Sequence, residues 1–131
     1  MRLTVKLAIC AFPLLLLIGC KQKVDQNTTY TLEPGDIKGL IVDAPKKEQK
    51  IVVTAKSSDS PVDVHLIEIK GNSEDLDKLL NDKAAGNILA KQEKTQDAKL
   101  EGTVPGGSKY AVAVSNAKKA TSVDVHITNA K

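Results

Sequence analysis

The chain has 131 residues, with 19 Lys+Arg against 16 Asp+Glu, enough length for one domain with a modest core and little net charge. Arg2 and Lys6 lie at the extreme start, so residues 20–131 hold 17 basic and 16 acidic groups; they contain no Arg, Trp or Phe, and Tyr30 and Tyr110 are their only aromatics. Such a composition argues against nucleic acid as a partner, because that role needs clustered positive charge and stacking rings, and it leaves no guanidinium to grip phosphate.

Residues 1–6 carry Arg2 and Lys6, and residues 7–18 are apolar, with Pro13 and the run Leu14-Leu15-Leu16-Leu17; Gly19 and Cys20 follow. The apolar run is shorter than the roughly 20 residues a spanning helix needs. A basic start, a short apolar run and a small residue describe an export signal over residues 1–19. Leu17-Ile18-Gly19-Cys20 resembles the lipobox of bacterial lipoproteins. The resemblance implies that the Cys20 sulfur takes a diacylglyceryl group before cleavage. The new amino terminus is then acylated, typically with palmitate. Several acyl chains hold a protein at a bilayer where one binds only marginally. Lys21 stands where an Asp retains some lipoproteins in the inner membrane, so the resemblance points to the outer membrane of a bacterial cell envelope. Cys10 leaves with the leader, and the exported domain has no thiol for a disulfide or a metal.

Residues 20–28 are polar and read as a tether. From residue 29 to 131 short β-branched runs alternate with Gly, Pro, Ser, Asp and Lys, the texture of an all-β domain. Expected strands cover residues 29–32, 37–42, 50–56, 62–69, 88–92, 98–104, 109–115 and 122–128. Pro34-Gly35, Ala44-Pro45, residues 58–61, Pro105-Gly106-Gly107 and residues 116–119 break between them. Eight short strands at this spacing predict a two-sheet antiparallel β-sandwich, jelly-roll-like, with one short helix. That helix is expected over residues 73–85, with Ser73 as cap, Glu74 and Asp75 in the first turn and Gly86 past the end. Its stripe Leu76, Leu79, Leu80 is spaced to close one end of the sandwich.

Alternation assigns faces. In Val62-Asp63-Val64-His65-Leu66 the apolar side chains point one way, and Asp63 and His65 the other. Val123-Asp124-Val125-His126-Ile127 repeats the pattern. Similar runs precede both copies: residues 40–45 and 51–55 before the first, residues 100–105 and 110–114 before the second. Ancestral duplication and convergence of short β-patterns both account for the repeat. If the two Asp-x-His strands were neighbours, Asp63, His65, Asp124 and His126 would converge as ligands for a zinc-like ion; otherwise the pairs stand on solvated outer faces, and pseudo-symmetric halves place the two strands on opposite sheets.

The layout from Tyr30 to Thr128 resembles the bacterial pre-peptidase C-terminal domain and, more distantly, the GOLD-type β-sandwich. The residues that carry it are the run at 51–54, Val62-Asp63-Val64-His65-Leu66, the stretch Pro105-Gly106-Gly107-Ser108-Lys109-Tyr110-Ala111-Val112, and a closing strand at 122–127. His65 stands where that family has a second Asp. The resemblance implies a non-catalytic module. No nucleophile stands in a recognisable elbow, no helix pairs two His residues, and no cofactor motif is present. The expectation is therefore a non-enzymatic structural or binding module of the envelope, lipid-tethered at Cys20, with a protein partner there. The alternatives are a metal-binding lipoprotein and an accessory subunit of a secreted enzyme. Lys46-Lys47-Glu48-Gln49-Lys50 and Lys118-Lys119 are charge clusters at turns that read as solvated loop tips discouraging edge pairing, with a membrane-surface or polyanion contact as the alternative.

Overall fold

The computed structural model describes residues 24–129. The leader expected at 1–19 and the lipidation site Cys20 lie outside them. Eight strands form: β1 (Asp25–Leu32), β2 (Ile37–Val42), β3 (Gln49–Ser57), β4 (Val62–Ile69), β5 (Gly86–Thr95), β6 (Asp97–Val104), β7 (Tyr110–Ser115) and β8 (Thr121–Asn129), with helix α1 (Leu76–Asn81) between β4 and β5. They pair into two four-stranded antiparallel sheets, ordered β1-β8-β3-β6 and β2-β7-β4-β5. Placing strands 1 and 8, 2 and 7, 3 and 6, and 4 and 5 side by side or in facing sheets is the jelly-roll arrangement, as the alternating sequence predicts.

The period-two pattern explains the core. Val123, Val125 and Ile127 of β8, Ile51, Val53 and Ala55 of β3, and Val62, Val64 and Leu66 of β4 all bury between the sheets, joined by Tyr110, Val112 and Val114 of β7. The second sheet is also covered outside. Small Ala111 and Ala113 on β7, with Ile67 and Ile69 on β4, make a floor on which Leu79 packs fully buried, flanked by Leu76 and Leu80. Thus α1 lies over an outer sheet face, not across an end of the sandwich. The helix is also shorter than residues 73–85. Asp75, not Ser73, caps it, accepting the Asp77 N–H at 3.1 Å. Asp82 is already extended, and its side chain accepts the Ala84 N–H at 2.9 Å, turning the chain into β5. Gly86 serves that turn by closeness: a Cβ there would sit 2.6 Å from the Leu79 carbonyl oxygen.

The expected tether over 20–28 is also revised. β1 begins at Asp25, its first residue paired with Thr128, and the Val24 N–H donates to Asn129 Oδ1 at 3.0 Å. Residues 25–28 are polar because β1 is an edge strand with little to bury, so their sequence resembles a linker while the ladder to β8 makes them a strand.

Register sorts the loops to two rims. Val24, residues 43–48 and residues 105–109 share one rim: Val24 and Gln26 line a shallow depression of about 140 Å³ with Asp43, Pro45 and Gln49, and the Gly107 N–H donates to the Pro45 carbonyl at 2.7 Å. Residues 33–36, 58–61 and 116–120 share the opposite rim, where the buried Ser57 hydroxyl donates to the Ser60 carbonyl at 2.5 Å and lies 2.7 Å from Thr121 Oγ1, and the Ser60 hydroxyl accepts the Lys118 N–H at 3.0 Å. At that rim Glu33-Pro34-Gly35-Asp36 makes a tight turn closed by Asp36 N–H to Glu33 O at 3.0 Å, with Gly35 at φ +89°.

Candidate functional site

Asp63 and His65 occupy the outer face of β4, opposite Val62, Val64 and Leu66, as alternation requires. They are not solvated there. Each is only 8% exposed, because β4 is an interior strand and the α1 segment stands over this face. Asp63 is fully engaged: Oδ1 accepts the Lys94 N–H at 2.9 Å and Oδ2 accepts the Asn116 side-chain amide at 2.6 Å. Both partners have left-handed backbones, Lys94 at φ +55° and Asn116 at φ +60°. At this point the β4–β5 register slips, Val62 facing Thr95 and Val64 facing Gln92, so Glu93 and Lys94 together oppose Asp63. The carboxylate therefore braces a β-bulge on one side and the end of β7 on the other.

His65 stands between Lys91 across β5 and Ala113 across β7. Its Nδ1 is buried with no hydrogen-bond partner among the described residues. Burial lowers its pKa below the ordinary imidazole value; Asp63 and Glu93 oppose that shift and Lys91 adds to it. The shift favours the neutral imidazole.

These residues wall a concave site of about 300 Å³ between the end of α1 and the sheet, completed by Asp77, Asn81, Glu93 and Asn116. A second hollow of about 350 Å³, lined by Pro61, Lys94 and Lys118, shares Asp63 and Asn116. The pair thus forms a polar partition between an acidic hollow and a basic one. Such a surface suits a polar or charged side chain of a partner. Among the described residues no group of three or more His, Cys, Asp or Glu side chains is arranged to hold a metal ion.

Asp124 and His126 occupy the matching positions on β8, in the other sheet and on its outer face, with Val123, Val125 and Ile127 in the core behind them. Asp124 accepts the Thr29 hydroxyl at 2.6 Å, and His126 Nε2 lies 2.7 Å from Asp25 Oδ1, exposed. The four side chains expected to converge on one ion are therefore split between opposite faces of the sandwich. The strand orders explain this. Advancing every strand of β1-β8-β3-β6 by four positions gives β5-β4-β7-β2, the other sheet read backwards. The sequence repeat thus follows the topological two-fold, and equivalent residues necessarily fall on different sheets. What separates the copies is α1, which covers the first pair and leaves the second open. Asn116, Lys94 and Asp25 carry no local sequence signal for their roles; strand register alone brings them to Asp63 and His126.

The domain is a jelly-roll β-sandwich. No family model matches the chain, and no curated protein matches it in sequence. Among solved structures it is similar in fold to the Yersinia pseudotuberculosis-derived mitogen, with 10% identity, a TM-score of 0.59, and coverage of 82% of this chain and 86% of that one. A weaker likeness, TM-score 0.48 at 10% identity and the same coverage, is to PliG of Aeromonas hydrophila, a periplasmic inhibitor of g-type lysozyme. No helix among the described residues is long and apolar enough to cross a membrane.

Proposed function

We propose that this chain is an envelope lipoprotein whose jelly-roll domain is a non-enzymatic binding module, held at the bilayer by lipid on Cys20. The observation that carries the proposal is the lipobox-like Leu17-Ile18-Gly19-Cys20 behind a basic and apolar leader, followed within four residues by a folded domain that starts at Val24. The resemblance to the pre-peptidase C-terminal domain belongs to the same proposal: its motif residues fall on β4 and on the turn into β7 of an eight-stranded sandwich. The polar partition of Asp63 and Asn116, with its two hollows, is the surface we assign to partner contact. It takes a protein of the envelope, and an enzyme served as an accessory subunit is one such partner.

Two measurements test this. Intact mass and membrane fractionation of the exported protein should find acyl mass on the wild type, and Cys20→Ser should move the protein to the soluble fraction without that mass. Equal membrane retention of Cys20→Ser refutes the anchor. Crosslinking in the native envelope should give a discrete adduct that Glu93→Lys and Lys118→Glu each weaken. An adduct indifferent to both refutes the assigned surface.

A further inference from the structure

Helix α1 is six residues long, and its early end leaves part of the sheet uncovered. The chain turns at Asp82 and rejoins the sheet at Gly86, so α1 does not extend over Ile88, which shares the outer face of β5 and β4 with its partner Ile67. Ile88 is 40% exposed, and among the described residues no other large apolar side chain is exposed. A single exposed apolar residue is ordinary. This one lies in a concavity: with half-buried Leu80 it gives the apolar lining of a hollow of about 510 Å³ whose charged members are Lys70 and Lys83. No carboxylate lines that hollow, and neither lysine makes an ion pair among the described residues. The Asn81 amide is spent on Asp77 and the Asn87 amide on Glu68, which leaves the two ammonium groups to meet an anion.

Leu80 and Asn81 also line the acidic hollow at His65, so the two hollows meet across the end of α1. On the His65 side Asp63, Asp77 and Glu93 line the wall with no lysine among them. Lys91 stands 3.9 Å from Glu93, but both side chains are more than half exposed, and so loose a pair does not cancel the three carboxylates. The buried His65 Nδ1, without a partner among the described residues, adds an unsatisfied polar atom to the same wall. The result is one groove along β5, positive where α1 turns into the strand and negative toward the bulge at Lys94, with Leu80 and Ile88 as its apolar floor. Register gives its length. Ile67, which faces Ile88, and Asp63 are four positions apart on β4, or about 13 Å at ~3.3 Å per residue. An extended peptide has the same rise, so an acidic and a basic side chain four residues apart reach both ends. A fatty acid satisfies the positive, apolar end and leaves the negative end unused; a peptide satisfies both.

We infer that this groove takes an extended segment of the partner protein, with an acidic side chain at Lys70 and Lys83, an aliphatic one on Leu80 and Ile88, and a basic one at Asp77 and Glu93. The inference rests on the partner-contact reading of the Asp63–Asn116 surface and names the chemistry of its occupant. The test titrates the exported protein in detergent micelles with acetyl-Asp-Leu-Thr-Ser-Lys-amide and with the same residues in reverse order, followed by backbone amide chemical shifts. One of the two orders should shift the amides of residues 70, 83, 88 and 93 together. Lys70→Glu with Lys83→Glu should weaken that binding about tenfold, and Glu93→Lys about threefold, while Lys56→Glu on the other sheet leaves it unchanged. No shift with either peptide at millimolar concentration overturns the inference. So does hexanoate that shifts the same amides as strongly as the peptides, with Glu93→Lys without effect, because a simple carboxylate site then suffices. In the native envelope the double lysine reversal should also weaken the crosslinked adduct. An adduct that survives it, yet is lost with Glu93→Lys and Lys118→Glu, overturns the groove and keeps the partner surface. Peptide shifts without any adduct from the wild type refute the partner surface and keep the groove's peptide chemistry.

Discussion

Removing the Asp63 carboxylate should destabilise the domain far more than its place on a polar sequence motif suggests. Asp63→Ala deletes two hydrogen bonds to a charged acceptor, at 2.9 and 2.6 Å, in a residue 8% exposed. Bonds to charged groups contribute about 1.5–3 kcal/mol each, and water reaches the exposed partners Lys94 and Asn116 once the carboxylate is gone, so the expected loss is about 2–4 kcal/mol. For a domain of this size that lowers Tm by roughly 15 °C. Asp63→Asn keeps one acceptor for the Lys94 N–H and should cost about 1 kcal/mol. The left-handed backbone supplies a second, independent check. Without its brace, Lys94 at φ +55° is strained, so Lys94→Gly in the Asp63→Ala background should restore about 1 kcal/mol. Urea unfolding followed by far-UV circular dichroism, with m-values compared across the variants, reads all of these. If Asp63→Ala unfolds within about 0.5 kcal/mol of the wild type, the bracing role of the carboxylate is wrong.

Three further outcomes follow from the buried polar groups and close approaches. Because burial holds the His65 pKa below its unfolded value, the unfolded chain takes up the proton first as pH falls below about 6.5, and stability drops there with a slope of up to about 1.4 kcal/mol per pH unit; His65→Gln should flatten that slope, as Tm against pH would record. The Tyr110 hydroxyl is buried without a partner among the described residues, and burial pushes its pKa up to about 12, so Tyr110→Phe should be neutral or stabilising by up to about 1 kcal/mol. The same substitution should remove the loss of stability that begins as pH rises above about 10, where the unfolded phenol ionises first; a destabilised Phe variant in urea would reveal a hidden partner for the hydroxyl. Gly39→Ala should cost about 3 kcal/mol, since its Cβ would overlap the Val112 carbonyl oxygen, whereas Gly102→Ala meets side-chain atoms alone, the movable end of Leu66 at 2.8 Å and the Leu89 Cβ at 3.2 Å, and should cost nearer 1 kcal/mol; equal Tm values for the two would refute the packing argument.

Alternation located the strands well because residues 122–128 change polarity with a period of two throughout, and residues 62–66 do so until the pattern breaks at Leu66-Ile67. It assigned Asp63 and His65 to the face away from the inter-sheet core, which they occupy. Alternation distinguishes two faces, however, and says nothing of what lies on each, so the cover supplied by α1 was invisible and both residues read as solvated. Strand order was invisible for the same reason. Val62–His65 and Val123–His126 look like neighbours only until the topology sends one to each sheet. The start of β1 was missed because an edge strand needs few apolar side chains, and Asp25-Gln26-Asn27-Thr28 offers none. The helix was overextended because Ser73 and Gly86 satisfy the usual start and stop preferences, yet Asp75 competes for the cap and Gly86 is needed for its closeness to Leu79.

The ladder between β1 and β8 also decides how the domain bears tension. A load entering at Val24 and leaving by the opposite rim runs parallel to the strands, whereas the bonds of an antiparallel ladder lie across them. All eight pairs from Asp25–Thr128 to Leu32–Thr121 are then sheared together instead of being unzipped one after another. Pulled from this end, the domain should resist extraction much better than if it were peeled from the middle of β1.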